Sequence, residues 1–312
     1  MYAFVVKRLL FAIVTLLAVL TLVFVIVRVV PGDPAQVILG DQASREAIEM
    51  LRERLGLNKP MITQYWQFVS GALRGDWGQS MTTGTPVFRE VANVLPYTIE
   101  LTLSSLALAS LFGIPLGIWA AVRRNQKVDY LIRIFSLLGL SYPVFVVAIF
   151  MLFIFAIALP WFPVISAAGN GLSDRLRGLT LPAVCLAFVM MGFITRVARS
   201  AMLEVLGEDY VRTAMAKGVT PGVILWRHCL RNALIPIVTV IGLNVGIQIG
   251  NSVLTEIVFN RPGLGKLIVG ALNQRDYTML QGLMVVYTFI IVVVNLFTDL
   301  TYGFIDPRVK YN

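Results

Sequence analysis

EDYVRTAMAKGVTPGVILWRHCLRNALIP, residues Glu208–Pro236, is the only long polar stretch in the hydrophobic half of the chain. It carries the signals of two short helices joined by a turn. The first begins at Glu208, where an acidic side chain suits the positive end of a helix, and ends at Gly218. The second takes Thr220 as its N-cap and Pro221 as its first helical residue. A helix pair this well defined is too structured for a passive connector, so we expect a docking surface here.

Composition sets the class of protein. The chain of 312 residues is 57% hydrophobic and 14% charged, whereas soluble domains carry about 25% charged residues. The apolar residues are concentrated in runs long enough to cross about 30 Å of hydrocarbon as helices. The sequence therefore predicts an all-α polytopic membrane protein. Because its net charge of +9 is typical of cytoplasmic loops rich in Lys and Arg, we expect no nucleic-acid partner.

Few residues are available for disulfide or metal chemistry. Cys185 falls inside an apolar run and Cys229 in the polar stretch, so the two should lie at different depths and form no disulfide. The single histidine, His228, excludes a site of several histidines within one chain, and we interpret it as a surface residue. We expect this chain to bind no metal and no cofactor.

The first 96 residues divide into an apolar run and a hydrophilic segment. Residues 1–30 predict a transmembrane anchor with its N-terminus inside. A cleaved signal peptide is the alternative, but the apolar run is too long and no small-residue cleavage site follows. Residues 31–96 predict an external subdomain with helices at Ser44–Leu55, Met61–Leu73 and Pro86–Leu95. Its aromatic residues favour interfacial packing and a packed mini-core equally.

Residues 97–305 predict a membrane core of five further helices. The predicted spans are Tyr97–Val122, Ile134–Leu159, Leu179–Leu203, Ala233–Val258 and Met279–Thr301. The core includes the polar segment 204–232, and residues 306–312 form a tail. The chain is thus expected to have six transmembrane helices with both termini cytoplasmic.

The distribution of basic residues supports this topology. The four segments expected inside carry two, four, six and two Lys or Arg residues, whereas the two short external loops carry two and three. Cytoplasmic loops are enriched in Lys and Arg, and the rule does not apply to a long translocated segment such as 31–96.

The predicted spans have few charges away from their ends, where Arg28, Glu100, Glu256 and Asp299 lie. A proton- or sodium-coupled carrier usually keeps ionisable groups near the membrane midplane, although each costs about 2.5–3.5 kcal/mol on the insertion scale. Their scarcity indicates that transport energy enters from outside the spans. It argues against a secondary transporter or channel that works alone.

The fifth span has two distinct faces. One is a small-residue ridge for helix packing, formed by Gly242, Gly246 and Gly250. The other is a polar stripe that lies nearly opposite, formed by Asn244, Gln248, Asn251 and Thr255. Two interpretations of the stripe are equally open: its amides bridge helices, or they line the path of a polar solute.

No catalytic or nucleotide-binding motif is present. The sequence has no GxxxxGK[ST], HExxH, GxSxG or CxxC pattern. We therefore expect a protein that is not an enzyme and that does not itself bind nucleotide.

The segment Glu208–Gly218, followed by Leu230–Pro236, resembles the cytoplasmic motif of membrane subunits in binding-protein-dependent ABC importers. In the wider family the motif reads E-A-A, three residues, G, nine residues, I-x-L-P, and here Arg212–Ala214 occupies the E-A-A positions. The peptide-importing branch has the form E-D-Y-V-R-T-A-x-A-K-G and L-R-N-A-x-x-P, which this chain matches. Met215 stands where that branch commonly has arginine.

Further short motifs resemble the first permease subunit of dipeptide, oligopeptide, glutathione and nickel systems. They are Lys7–Leu10, Pro31–Pro34, Leu55–Leu57 with Pro60, Gly75–Gly78, Pro262–Gly265 and Arg275–Tyr277. Each motif is weak alone, but their order and spacing along nearly the whole chain are specific.

The resemblance implies the type I transmembrane fold of ABC importers, in the bacterial cytoplasmic (inner) membrane. It implies a second homologous permease subunit, two cytoplasmic ATPases that bind ATP and Mg, and an extracytoplasmic solute-binding protein, with membrane lipid around the spans. The cargo would be di- or oligopeptides or a related small polar solute, with glutathione and nickel chelates as alternatives.

The same resemblance implies that the segment Glu208–Gly218 docks on an ATPase. The residues expected to carry the docking are Glu208, Tyr210, Arg212, Ala214, Lys217 and Gly218. On a helix, Tyr210, Ala214 and Gly218 fall on one face, where small residues beside one aromatic ring allow a close approach. An amphipathic helix lying on anionic lipid is the alternative.

Overall fold

The computed structural model describes residues 2–29, 34–40, 43–54, 56–166 and 171–305. Over these residues the secondary structure is helical, apart from one isolated β-bridge between Gln79 and Pro86. Five of the helices are long and apolar enough to cross a membrane, or six when a sharply bent pair counts as one span. The predicted all-α polytopic class is confirmed.

The helices are as follows, in chain order. They are α1 (Tyr2–Val29), α2 (Pro34–Leu39), α3 (Arg45–Arg54), α4 (Met61–Arg74), α5 (Val87–Val122), α6 (Lys127–Ser141), α7 (Val144–Leu152) with a π-helical turn Phe153–Ala158, α8 (Leu172–Leu206), α9 (Asp209–Ala216), α10 (Pro221–Val223) with a π-helical turn Ile224–Cys229, α11 (Leu230–Val258), α12 (Leu264–Asn273) and α13 (Tyr277–Ile305). The expected tail 306–312 lies outside the described residues, as does most of the Pro31–Pro34 motif.

The described residues pack as two units. The first draws on the described residues within 2–96 and 263–296, and the second on those within 97–262 and 297–305. Helices α5 and α13 contribute to both.

In the first unit, α4 packs on α1 through aromatic rings. The Phe24 ring lies 5.4 Å from Tyr65 and 6.0 Å from Phe68 between centroids, and the Tyr65 hydroxyl is 2.7 Å from Thr21 Oγ1. These rings form a small core, while Trp66 is 62% exposed. The packed mini-core is therefore present, and interfacial packing of the exposed Trp66 stays a prediction.

The predicted helices of the hydrophilic segment are largely confirmed. The first two correspond to α3, which begins one residue later than predicted and is described to Arg54, and to α4, which ends one residue later than predicted. The third prediction is wrong in one respect, because Pro86–Leu95 is not a separate helix. It is the first part of α5, which runs unbroken for 36 residues from Val87 to Val122. Pro96 lies inside it and is exposed.

The second unit is organised around α8, which packs against α6, α7 and α11. Small residues allow the close approach. A Cβ added at Gly117 of α5 would lie 2.6 Å from the Thr195 carbonyl oxygen of α8, and one at Gly192 of α8 would lie 2.6 Å from the Ser136 carbonyl oxygen of α6. A side chain at either glycine would push the helices apart.

The region of the predicted span Ile134–Leu159 is not one continuous helix. The chain bends by 101° between Lys127–Ser141 and Val144–Ala158. The bend lies at Tyr142 and Pro143, where Tyr142 adopts an extended backbone with φ −104° and ψ 135°. A proline disfavours the helical region for the residue before it and cannot donate to the preceding turn, so an apolar run that reads as one helix is broken here.

The predicted fifth span begins earlier than expected. The predicted start at Thr220 and Pro221 is confirmed, with Thr220 extended and Pro221 at the first helical position. From Pro221 the chain stays helical to Val258 through the π-helical turn, over 38 residues. The second short helix of the polar stretch and the fifth span are thus one element.

Candidate functional site

Helix α9 ends in a turn that requires glycine. Gly218 has φ +76°, in the left-handed region that L side chains rarely adopt. Its N–H donates to the Met215 carbonyl at 2.9 Å, and the Val219 N–H donates to the Ala214 carbonyl at 3.2 Å. This pair of bonds is a Schellman motif, which satisfies the last carbonyls of the helix and reverses the chain.

One side of α9 is anchored in an apolar cluster. Val211 is fully buried and packs with Met202 of α8, with Ile224 and Cys229 of the π-helical turn, and with Ala233 of α11. Ala214 and Val219 pack at the edge of this cluster. Helix α9 is therefore fastened to the end of α8 and to the start of the α10–α11 helix at the same time.

The other side of α9 is exposed and polar. The Arg212 side chain is 74% exposed, and its contact with Asp209 at 3.5 Å joins two solvated groups that add little stability. Met215 and Lys217 are also exposed, as is the N-cap Glu208. An open surface with charged and apolar groups is suited to contact with a partner.

The residues predicted to share one face of α9 differ in their surroundings. Ala214 packs inward against the Val211 cluster. Tyr210 is partly exposed, and its hydroxyl accepts a hydrogen bond from Asn232 Nδ2 at 2.8 Å, which ties α9 to α11. Gly218 is exposed. Sequence reasoning missed Val211, although its spacing of three residues from Ala214 marks an inward face.

The residues of the polar stripe of α11 also differ in their burial. Gln248 is buried and donates from Nε2 to Ser105 Oγ of α5 and to the Leu186 carbonyl of α8, both at 3.2 Å. Thr255 is also buried and donates to the carbonyl of Asn251. Asn244 and Asn251 are half-buried, and Asn244 donates to the Val240 carbonyl of its own helix.

The glycine ridge of α11 makes close contact at one end. A Cβ added at Gly242 would lie 2.6 Å from Thr298 Cγ2 of α13. At Gly250 an added Cβ would meet no atom of the described residues within 4 Å. Gly246 is half-buried. The close contact of α11 with α13 thus explains why a glycine is needed at position 242. No contact among the described residues requires a glycine at position 250.

An ion pair that the sequence analysis did not anticipate joins α6 and α8. The Asp129 carboxylate is fully buried and accepts two hydrogen bonds from Arg199, from Nε at 2.6 Å and from Nη2 at 2.8 Å. It also accepts from the Asn125 N–H at 2.9 Å, which closes the turn before α6. The two residues are separated by 70 positions, so no local pattern reveals the pair.

A second ion-pair network involves charges that the sequence analysis placed at span ends. Glu100 of α5 pairs with Arg261 at 2.7 Å and with Arg175 of α8 at 3.0 Å. Thr98 donates to the buried Glu256 carboxylate at 2.6 Å. Arg261 is itself nearly fully buried; this burial lowers the pKa of its guanidinium, and the Glu100 carboxylate opposes that effect.

The described residues offer little metal or disulfide chemistry. Cys185 and Cys229 are both free and buried. His228 is exposed, as the interpretation of a surface residue requires. No group of three His, Cys, Asp or Glu side chains within the described residues is arranged to hold a metal ion.

Fold and site together define a polytopic helical membrane protein with an exposed helix fastened between two of its spans. Comparison with known protein families identifies the class further. The family described as binding-protein-dependent transport system inner membrane component matches residues 113–311, and its N-terminal companion matches residues 1–102. The chain belongs to this family, as the resemblance of its motifs indicated.

Several curated relatives match over the full length of both chains. The chain is 41% identical to the dipeptide transport system permease protein DppB of Alkalihalophilus pseudofirmus, over 100% of each. It is 41% identical to a probable peptide ABC transporter permease protein, y4tP, of Sinorhizobium fredii, and 39% identical to the glutathione transport system permease protein GsiC of Escherichia coli strain K12, each again over 100% of both chains.

A similar fold occurs among solved structures. A chain of the MetNI methionine ABC transporter, in an inward-facing conformation, matches with a TM-score of 0.57 at 18% identity. The match covers 70% of this chain and 96% of the transporter chain. At this identity the likeness shows a shared fold, which is that of the transmembrane part of an ABC importer.

Proposed function

We propose that this chain is the permease subunit of an ATP-driven importer of peptides, in a bacterial inner membrane, and that α9 couples it to partner ATPases. The family supports the transport class, and the dipeptide and peptide relatives support the cargo. The observation that carries the coupling role is the two-sided character of α9, which has a buried Val211 and an exposed Arg212 on successive residues.

The proposed topology has six spans with both termini in the cytoplasm. The bent pair α6–α7 counts as one broken span, and residues 31–96 and 259–278 are external and contribute to the surface for a binding protein. The excess of basic residues in the segments assigned to the cytoplasm supports this orientation.

The proposed assembly contains a second homologous permease subunit, two ATPases and an extracytoplasmic solute-binding protein. ATP and Mg bind to the ATPases, and this chain is a non-catalytic subunit. The open glycine at Gly250 lies on the kind of small-residue ridge that allows close helix packing, so it is a candidate contact for the second permease subunit.

In the proposed mechanism, α9 moves with the ATPase and carries that movement to the membrane helices. An ATPase that changes shape on binding ATP would move the exposed side of α9. Because Val211 fastens α9 to both α8 and the α10–α11 helix, those two elements would move with it. Alternating access needs such a differential push between two states, and no local chemistry is required.

The proposed solute path runs along the polar stripe of α11. Asn244 and Asn251 are half-buried and available to line this path. Gln248 instead bonds to neighbouring helices, and Thr255 bonds to the backbone of its own helix. We propose that Asn244 and Asn251 face the solute and that Gln248 holds α11 against its neighbours.

Peptide is the cargo that the relatives favour, and glutathione is the second candidate because GsiC matches nearly as well. Nickel chelates are a third alternative. A transporter that works alone is disfavoured, because the family consists of components of binding-protein-dependent systems.

The function is tested with the complete complex in proteoliposomes. ATP is enclosed in the vesicles, on the side of the proposed cytoplasmic face, and binding protein is added outside. The complex should then take up a labelled dipeptide or labelled glutathione, and the faster uptake identifies the cargo. Complexes that lack this chain should neither import nor retain transport-stimulated ATP hydrolysis. Import by complexes without it, or by the purified chain without ATPases, would contradict the proposal.

A further inference from the structure

A pocket of about 290 Å³ lies between α6 and α8. These helices run antiparallel, as the pairs Asp129–Arg199 and Ser136–Gly192 require. The basic residues that line the pocket are Arg133, Arg196 and Arg199, its hydroxyl groups belong to Ser136, Thr195 and Ser200, and its apolar wall includes Leu137 and Leu140. No role proposed above uses this pocket.

The pocket carries uncompensated positive charge. Arg199 is paired with Asp129. Arg133 and Arg196 lie over aromatic rings of their own helices, at 5.8 Å from the Tyr130 centroid and 5.5 Å from the Phe193 centroid. Within the described part of the chain neither arginine forms a salt bridge, and no acidic residue lines the pocket. The Asp129 carboxylate also attracts Arg133, but it is bonded to Arg199, so three arginines face one carboxylate. Two guanidinium groups are therefore available to an anion.

A buried hydroxyl group in the pocket has no partner. Thr195 is 2% exposed, and its Oγ1 atom makes no hydrogen bond among the described residues. Thr180 and Thr288 show the usual alternative in a helix, since each donates to the carbonyl four residues earlier. An unpaired buried hydroxyl costs free energy. A ligand that accepts a hydrogen bond from Thr195 would remove that cost.

The apolar wall narrows the class of ligand. Leu137 lines the pocket and is 54% exposed, and its neighbours Ile134 and Leu138 are also exposed, so the pocket opens onto an apolar surface. Arg196 is ten residues from the end of α8 at Leu206, or about 15 Å along the axis at a rise of about 1.5 Å per residue. Arg133 is six residues from the start of α6 at Lys127, so both arginines lie toward the end of this helix pair that the proposed topology assigns to the cytoplasmic side. Arginine side chains near the end of a membrane helix can reach the headgroups.

We propose that this pocket binds the phosphate headgroup of an anionic phospholipid, with Arg133, Arg196 and Thr195 as donors and with an acyl chain along Leu137. Basic pockets between membrane helices are suited to such headgroups. The assignment to the cytoplasmic leaflet rests on the topology proposed above. The binding itself does not, since it requires neither transport nor ATP hydrolysis.

The test uses the complete importer complex in nanodiscs of zwitterionic lipid, titrated with phosphatidylglycerol and followed by native mass spectrometry. Arg133→Gln combined with Arg196→Gln removes two charge-assisted hydrogen bonds to the phosphate, each of which strengthens binding by about five-fold or more, so binding should weaken about 25-fold or more. The matched control, Arg123→Gln with Arg124→Gln, removes two exposed charges from the α5–α6 turn outside the pocket and should leave binding unchanged.

Three results would overturn the proposal. Equal weakening in the control pair would show general surface attraction. Full displacement of the lipid by soluble glycerol phosphate would show a site for a free phosphate compound. Unchanged binding in the pocket variant would show that the lipid binds elsewhere.

A milder variant protects the test against loss of folding. Thr195→Val keeps the shape of the side chain and both arginines but removes the hydroxyl group, and it should weaken phosphatidylglycerol binding by a few-fold. Normal binding by Thr195→Val would contradict the role of the hydroxyl group. Loss of transport with normal lipid binding would count against the proposed function and not against this site.

Discussion

Gly218 provides the sharpest test of how α9 is held. In Gly218→Ala the added Cβ would meet no atom of the described residues within 4 Å, so the substitution causes no clash. Its cost is conformational, because φ is +76° and an L residue in the left-handed region costs about 1–2 kcal/mol. A cost of that size changes a two-state population by a factor of about 5–30. We expect the ratio of displaced to capped α9 to rise by this factor.

The assay is the coupling ratio, measured as dipeptide imported per ATP hydrolysed by the complete complex in proteoliposomes. We expect Gly218→Ala to lower this ratio several-fold and Gly218→Val to lower it further, because β-branched residues tolerate the left-handed region poorly. Gly218→Asn should retain more coupling than Gly218→Ala, because asparagine adopts this conformation more readily.

Gly222 is the matched control four residues away. It also has open space around an added Cβ, but its φ is not positive and it lies in a helix. Alanine is a better helix former than glycine, so Gly222→Ala should leave the coupling ratio unchanged. Equal ratios for Gly218→Ala and Gly222→Ala, or normal coupling by Gly218→Val, would refute the reasoning.

Three further predictions concern the elements around α9. Val211→Ala should destabilise the complex by about 2 kcal/mol and lower its melting temperature, because it removes buried apolar groups. The control Val223→Ala changes an exposed side chain and should leave the melting temperature unchanged, so equal melting temperatures for the two variants would contradict the anchor role. Asp129→Asn should cost about 3 kcal/mol, because it leaves the partly buried Arg199 without its ionic partner; normal thermal stability and yield would show that the pair is dispensable. Asn244→Leu should reduce dipeptide uptake while ATP hydrolysis continues, and unchanged uptake would remove Asn244 from the solute path.

Local signals in the sequence predicted the helix boundaries near α9 well. Gly218 requires a positive φ, and Pro221 suits only the start of a helix, so both positions follow from the residue types alone. The apolar runs also predicted the spans from local sequence, because a helix of that length is long enough to cross the hydrocarbon core of a membrane.

Other features depend on contacts between distant residues or on competing local effects. The Asp129–Arg199 pair and the burial of Gln248 depend on which helices become neighbours, and a single sequence does not encode that locally. The break at Pro143 was missed because the apolar run continues through it, although the proline itself carries the signal.

The central claim is that the exposed side of α9 contacts an ATPase. Because both native cysteines are buried, a cysteine introduced on α9 would be the main reactive thiol among the described residues. Met215 is 56% exposed and Val211 is fully buried, so the two positions form a matched pair on one helix. In the assembled complex, Met215→Cys should cross-link to an ATPase subunit with a short thiol-reactive reagent, and Val211→Cys should not. Cross-linking of Met215→Cys to the extracytoplasmic binding protein, or labelling of it from outside the cell, would contradict the account.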